Sequence, residues 1–282
     1  MNWRAMVMAA AAAMIVSGPA QAVEGEDVTF AGPEKGPAVI KAAWYRPAGA
    51  TGNIPAIVAL HGCGGSTRSD GRTTSRTNDW TERWLAAGYA VLWPDSFGSR
   101  GLGPQCENSK RTVFPRQRAQ DAQAAARWLA TQPGIDRQRI ALVGWSNGGS
   151  TVLYAVQGGG PAPAPDYRTA IAFYPGCRAP LERAQKEGGA WTSRLPLNIL
   201  IGAADDWTPP APCRDIARAA KVRYVEYEGA YHGFDAPNSP IRVRRGLAFT
   251  ANKTGVAHQG TDPKARAAAI AEVGAILAAA FK

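Results

Sequence analysis

The sequence predicts an α/β fold, a mostly parallel β-sheet with helices on both faces, in a single domain. Three observations point there. Short apolar runs alternate with helical patterns through residues 23–282, and alternating strand and helix implies a parallel sheet covered on both sides. A stretch of that length suits one large domain. One apolar strand, Ile140 to Gly144, runs directly into a tight Gly-rich turn and a helix, and in such sheets reactive groups gather on loops beyond the strand ends.

The elements follow in order. Ala38 to Tyr45 and Ile54 to Leu60 read as strands, and Asn78-Asp79 can cap a helix through Ala87. Tyr89 to Trp93 is a strand, Gln117 to Leu129 an amphipathic helix, Ile140 to Gly144 a strand, and Ser150 onward helical. Ala170 to Tyr174 and Leu197 to Ile201 are strands. Ala211 to Ala220 is a helix, with Pro212 tolerable in its first turn. Val222 to Tyr227 is the last strand, and Asp262 to Phe281 closes the chain as an alanine-rich helix. Two stretches lack periodicity. Ser66 to Thr77 is polar and reads as a surface loop. Ala236 to Gly260 reads as a solvated loop, with a flap beside the site as the rival reading.

The N-terminus has the form of an export signal. Arg4 precedes an apolar run from Ala5 to Val16, and Ala20-Gln21-Ala22 is a small-x-small cleavage site. The run is shorter than the ~20 residues a membrane span needs. Residues 1–22 are therefore expected to be a signal peptide and 23–282 the mature, periplasmic or secreted domain, without a stable membrane anchor. The formal net charge is +10, but the basic residues are scattered and no aromatic motif interleaves them. That pattern argues against nucleic acid and for a solvated basic surface, which favours anionic substrates by long-range attraction.

The chain has four cysteines. An even count in an exported chain favours disulfides. A metal site is poorly supported, because no two cysteines are close in sequence and there are only three histidines. Cys63 and Cys106 follow consecutive strands, as do Cys177 and Cys213. Consecutive strands of a parallel sheet end near each other, so Cys63–Cys106 and Cys177–Cys213 are the expected pairs.

Gly144-Trp145-Ser146-Asn147-Gly148 matches G-x-S-x-G, which places a serine on a sharp strand-to-helix turn with small neighbours. A serine hydroxyl needs a base within hydrogen-bond reach. His61 ends an early strand upstream of Ser146, and His258 lies in an irregular segment. His232 follows the last strand, where the base belongs. The acid should follow a late strand, and Asp205 is preferred there over its neighbour Asp206, left to be solvated or to cap the next helix. The order Ser146, Asp205, His232 is that of α/β-hydrolases. The tetrahedral oxyanion would take backbone N–H groups from Asn147 and from Cys63 in the glycine loop His61-Gly62-Cys63-Gly64-Gly65.

These motifs, with Pro94-Asp95, Arg118-x-x-Asp121, Gly149, Gly202-x-x-Asp205 and His232-Gly233-Phe234, give the chain a resemblance to the dienelactone hydrolase family across nearly all of residues 23–282. The resemblance implies an α/β-hydrolase fold, a mostly parallel sheet with helices on both faces, and no cofactor. Two departures matter. The family's type enzymes use a cysteine nucleophile where this chain has Ser146. They also clamp the lactone carboxylate with arginines, one shortly after the catalytic histidine, but here no arginine follows His232 until Arg242. Arg100 is the nearest candidate for a related part. Trp207, Tyr231, Phe97 and Phe234 are candidates for an aromatic pocket wall. The expected function is two-step hydrolysis of small-molecule carboxylic esters, lactones among them. The alternatives are an amide hydrolase or peptidase on the same triad, and a non-catalytic binding protein of the same fold.

Overall fold

The computed structural model describes residues 25–68 and 70–282; the expected signal peptide lies outside them. The elements in chain order are β1 (Glu26–Ala31), β2 (Val39–Tyr45), β3 (Ile54–Leu60), α1 (Ser75–Ala86), β4 (Ala90–Pro94), α2 (Pro115–Leu129), β5 (Ile135–Trp145) and α3 (Asn147–Ala155). There follow β6 (Thr169–Phe173), α4 (Arg178–Lys186), β7 (Leu197–Gly202), α5 (Ala211–Ala220), β8 (Arg223–Tyr227), β9 (Arg242–Arg244), β10 (Ala257–Gln259) and α6 (Pro263–Ala280).

Strands β1 to β8 form one sheet in the order β1-β2-β4-β3-β5-β6-β7-β8. The first two pairings, β1 with β2 and β2 with β4, are antiparallel, and the rest are parallel. This is the mostly parallel sheet of the α/β-hydrolase fold. Its register sets up the site. Leu60 at the end of β3 pairs with Gly144 near the end of β5, and Trp145 pairs with Phe173 at the end of β6. The loops after β3, β5 and β6 therefore emerge side by side.

The central strands are apolar because both their faces are covered: Ile57, Val58, Ala59 and Leu60 of β3 are fully buried. Trp145 stacks between Trp93 and Phe173, at ring separations of 5.3 and 5.4 Å, with Trp80 and Trp84 of α1 against it. Burying side chains of this size contributes roughly 1.5–3 kcal/mol each. The residue before the elbow serine is thus buried in a cluster of aromatic rings.

The structure differs from the sequence reading at four elements. Helix α1 begins at Ser75, inside the presumed polar loop, and its cap is Thr74, whose side chain accepts from the Thr77 backbone N–H. Asn78-Asp79 lies within the helix. Its buried face begins with Thr77 and reaches an apolar residue only at Trp80, so hydropathy marks the start a turn late. Strand β1 is mostly exposed and helix α4 mostly polar, so neither has an apolar signature. Finally, Ala236 to Gly260 is a built segment. It contains the two-stranded ribbon of β9 and β10, and buries Leu247 and Ala257 against Trp207 and Cys63. No helix of the described residues is long and apolar enough to cross a membrane.

Candidate active site

Ser146 sits between β5 and α3 with φ 54° and ψ −113°. A non-glycine residue in that region stores strain of about 1–3 kcal/mol, tolerated where the surroundings impose it. The surroundings do so here. The Ser146 N–H donates to the Phe173 carbonyl at 2.9 Å, and its own carbonyl accepts from the Ser150 N–H at 2.7 Å. Gly148 passes so close to the Leu60 carbonyl, and Gly144 to the Gly148 carbonyl, that a Cβ at either would overlap that oxygen. The turn projects the hydroxyl of Ser146 toward His232, whose Nε2 lies 2.9 Å from Oγ.

On its other side, His232 Nδ1 is 2.8 Å from Asp205 Oδ2. Donation from Nδ1 to that carboxylate leaves the Nε2 lone pair facing the serine hydroxyl. Asp205 is fixed by its own loop: Oδ1 accepts from the backbone N–H groups of Trp207 and Thr208, at 3.0 and 2.8 Å. The Thr208 hydroxyl lies 3.0 Å from Oδ2. The imidazole is flanked by the rings of Tyr174 and Trp207, at 4.5 and 4.6 Å. Both His232 and Asp205 are buried. This arrangement can draw a proton from the Ser146 hydroxyl and stabilise the imidazolium that results.

The loop after β3 lies against this turn. Asn147 is the first residue of α3, so its N–H has no acceptor within the helix. The Cys63 N–H has no backbone acceptor among the described residues. Both residues line the same cavity as Ser146. Arg118 of α2, fully buried, ties the two segments together. It donates from Nη1 to the Asn147 side-chain oxygen and from Nη2 to the His61 carbonyl, the latter at 2.9 Å. Burial pushes its pKa down to about 10, so it still carries a proton at neutral pH. His61 lies under the same loop, with Nδ1 2.8 Å from the Gly62 carbonyl and its ring edge-on to Phe97. Burial first and the Arg118 charge second depress its pKa to about 3, which keeps this imidazole neutral.

Cys63 is bridged to Cys106 and Cys177 to Cys213, the pairs expected from strand order. Each bridge puts one cysteine, Cys63 or Cys177, on the wall of the cavity, which has a volume of about 540 Å³. Ser146, Asn147 and Cys63 meet in it. Trp207, Tyr154, Phe114 and Phe249 supply apolar wall, and Arg111, Arg116, Arg178 and Lys253 bring four cations against the single carboxylate of Glu182.

Several sequence expectations are corrected. Arg100 is not on the cavity: its guanidinium forms a two-point ion pair with buried Asp121, both contacts at 2.8 Å. It serves as the counter-charge that a buried carboxylate requires. Tyr231 stacks on His258 at 4.8 Å and does not line the cavity. Phe97 and Phe234 are core residues. Asp206 neither caps α5 nor faces only solvent; it accepts from the His258 backbone N–H and pairs with its Nδ1, at 2.8 and 2.7 Å.

Two features gave no sequence signal. Phe114, Phe249 and Lys253 reach the cavity from loops distant in the chain. Asp235, three residues after His232, is fully buried. Its carboxylate accepts from Trp80 Nε1, Trp145 Nε1 and Tyr174 Oη at 2.9, 2.8 and 2.6 Å, with Arg76 at 3.3 Å. Burial raises the Tyr174 pKa far above its usual value, so the phenol stays protonated and donates. An acid next to a loop histidine looks solvent-facing in sequence; only three indole and phenol donors from other elements make it a core residue.

The sheet, the strained elbow and the loop cluster at the strand ends define the α/β-hydrolase class. The chain belongs to the dienelactone hydrolase family, whose model, described as "Dienelactone hydrolase family", matches residues 40–279. Among solved structures it is similar to a dienelactone hydrolase-like promiscuous phosphotriesterase from metagenomic libraries. That match has a TM-score of 0.62 at 20% identity, covering 93% of this chain and 100% of that one. It is similar also to esterase 2 of Thermogutta terrifontis, with a TM-score of 0.57 at 21% identity over 92% of this chain and 95% of that one. Among curated proteins, 72 residues are 36% identical to a "Probable dipeptidyl-aminopeptidase B" of Fusarium vanettenii, a match over 26% of this chain and 8% of that protein.

Proposed function

We propose that the protein is an exported serine hydrolase that cleaves carboxylic esters through an acyl-enzyme. One observation carries the reading: Ser146 Oγ, His232 and Asp205 form a continuous hydrogen-bonded chain, at 2.9 and 2.8 Å, whose serine end opens into the cavity.

In this mechanism Ser146 attacks the ester carbonyl as His232 Nε2 takes its proton. The oxyanion is received by the backbone N–H groups of Asn147 and Cys63, which cost no reorganisation because Arg118 and the Cys63–Cys106 bridge already fix both segments. His232 then protonates the departing alcohol, and water activated by the same histidine releases the acid. Asp205 holds the imidazole tautomer and stays ionised throughout. The two disulfides suit an oxidising compartment and, with the Ala20-Gln21-Ala22 cleavage pattern, support export after removal of residues 1–22.

The test is covalent labelling with a fluorophosphonate, followed by turnover of a graded panel of alkyl and aryl esters and their amide counterparts. Labelling at Ser146, lost in Ser146→Ala, and ester turnover exceeding amide turnover are expected. A folded Ser146→Ala protein with near-normal ester turnover would overturn the reading, and faster amide turnover would move it to the peptidase class.

A further inference from the structure

The adjacent carboxylates Asp205 and Asp206 diverge, the first onto His232 and the second onto His258. His258 belongs to β10, and the segment it anchors runs back over the cavity. From that segment Phe249 and Lys253 line the cavity. The Phe249 carbonyl accepts from Trp207 Nε1 at 2.9 Å, and the Ala248 N–H donates to the Cys106 carbonyl at 3.0 Å. At its far end the Gly260 N–H donates to the His232 carbonyl at 3.1 Å. The segment is thus attached to the acid loop, the base loop and the disulfide loop, yet its tip is exposed: Phe249 is 47% accessible. Asp206 makes two hydrogen bonds to one residue of the segment, one to the backbone and one to the ring, and that geometry fixes position as well as distance.

We propose that residues 242–260 form the specificity wall of the cavity and that Asp206 and His258 are positioning residues, a latch that sets the wall against the acid loop. The inference rests on the ester-hydrolase reading and deepens it, since it assigns substrate selection to the wall. On this proposal a bulky aryl acyl group extends along the cavity that Ser146 shares with Phe249, whereas an acetyl group stays at the Ser146 end. Removing the His258 ring leaves only its backbone bond to Asp206 and so loosens the wall, while Asp205, His232 and Ser146 keep their own contacts. The cost then falls on KM for the bulky ester more than on kcat for either.

The experiment compares the ratio of kcat/KM for an aryl benzoate ester to that for the matching aryl acetate in the full secreted protein, in His258→Ala and in Phe249→Ala. Concentrations are fixed by fluorophosphonate titration of Ser146. His258→Ala is expected to lower the ratio about ten-fold, mainly through KM for the benzoate, and Phe249→Ala to lower it in the same sense. A ratio within two-fold of wild type in His258→Ala, or a parallel fall in kcat on both esters, would overturn the latch. If the wild-type protein takes no label and cleaves neither ester, it is the ester-hydrolase reading that fails.

Discussion

Asp235 Oδ2 accepts a hydrogen bond from the indole Nε1 of Trp145 at 2.8 Å, and Trp145 immediately precedes Ser146. The elbow is therefore anchored from below by a buried carboxylate that also satisfies Trp80 and Tyr174. Asp235→Ala would strand three buried donors and leave Arg76 without its counter-charge. Removing one partner of a buried charged network costs about 3–5 kcal/mol. Urea unfolding should show a loss of that order; a loss below about 1 kcal/mol would deny Asp235 this role.

The two aspartates after β7 should separate cleanly. Asp205→Asn can no longer stabilise the imidazolium and turns one donor toward His232, so kcat should fall by about 10³–10⁴. Asp206→Asn retains an acceptor for the His258 N–H, and its kcat should stay within about ten-fold of wild type. Steady-state kinetics on one activated ester decides the ranking, and the reverse order would transfer the orienting role to Asp206.

Loss of the Cys63–Cys106 bridge should matter more for turnover than loss of Cys177–Cys213. The first steadies the loop that presents the Cys63 N–H, whose carbonyl also accepts from the Gln105 N–H at 2.7 Å. The bridges span 43 and 36 residues, so by chain entropy each is worth a similar ~3–4 kcal/mol. Stability losses in the two double-alanine variants should match, while kcat falls roughly ten-fold further in the first. Equal kcat in both would detach the bridge from the oxyanion loop.

His61 gives a pH dependence of stability. Its folded pKa is about 3, below the ~6.5 of an exposed imidazole. Between those values the unfolded chain holds a proton that the folded chain does not. Stability is therefore intact above about pH 6.5 and is lost as pH falls toward 3, by up to ~1.4 kcal/mol per pH unit from this group. His61→Gln should unfold in urea with a shallower pH slope than wild type over pH 6 to 4. Identical slopes would mean that His61 is not held neutral.

Under the proposed function, Arg111 on the cavity wall predicts a charge preference. Its guanidinium lies over the Phe249 ring at 4.4 Å and donates from Nε to the Gln105 carbonyl at 2.7 Å, with no ion-pair partner among the described residues. Burial brings its pKa down to about 10, so it is cationic at neutral pH. Esters carrying a distal carboxylate should have KM values about ten-fold below those of uncharged isosteres, and Arg111→Gln should remove most of that advantage. An unchanged KM ratio in the variant would place the selectivity elsewhere or nowhere.

The alternation of strand and helix, the parallel sheet, the tight turn around Ser146 and the choice of His232, of three histidines, as the one that meets Ser146 were all legible along the chain. Those features are local. Apolar runs of strand length, glycines that a tight turn requires and the order of loops after strands are all written along the chain. The start of α1 was placed late because its buried face opens with Thr77, and β1 left no signal because it is a mostly exposed edge strand. Direction, and distance between remote segments, were fixed only on folding. Asp205 and Asp206 are neighbours of the same type, and their opposite partners depend on where β10 returns. Arg100 resembles a substrate clamp until Asp121 claims it, and Asp235 resembles a surface acid until Trp80, Trp145 and Tyr174 converge on it. A carboxylate or a guanidinium goes where its counter-charge or its donors are, because burial without them is too costly, and those partners are set by packing between elements that the chain brings together only when it folds.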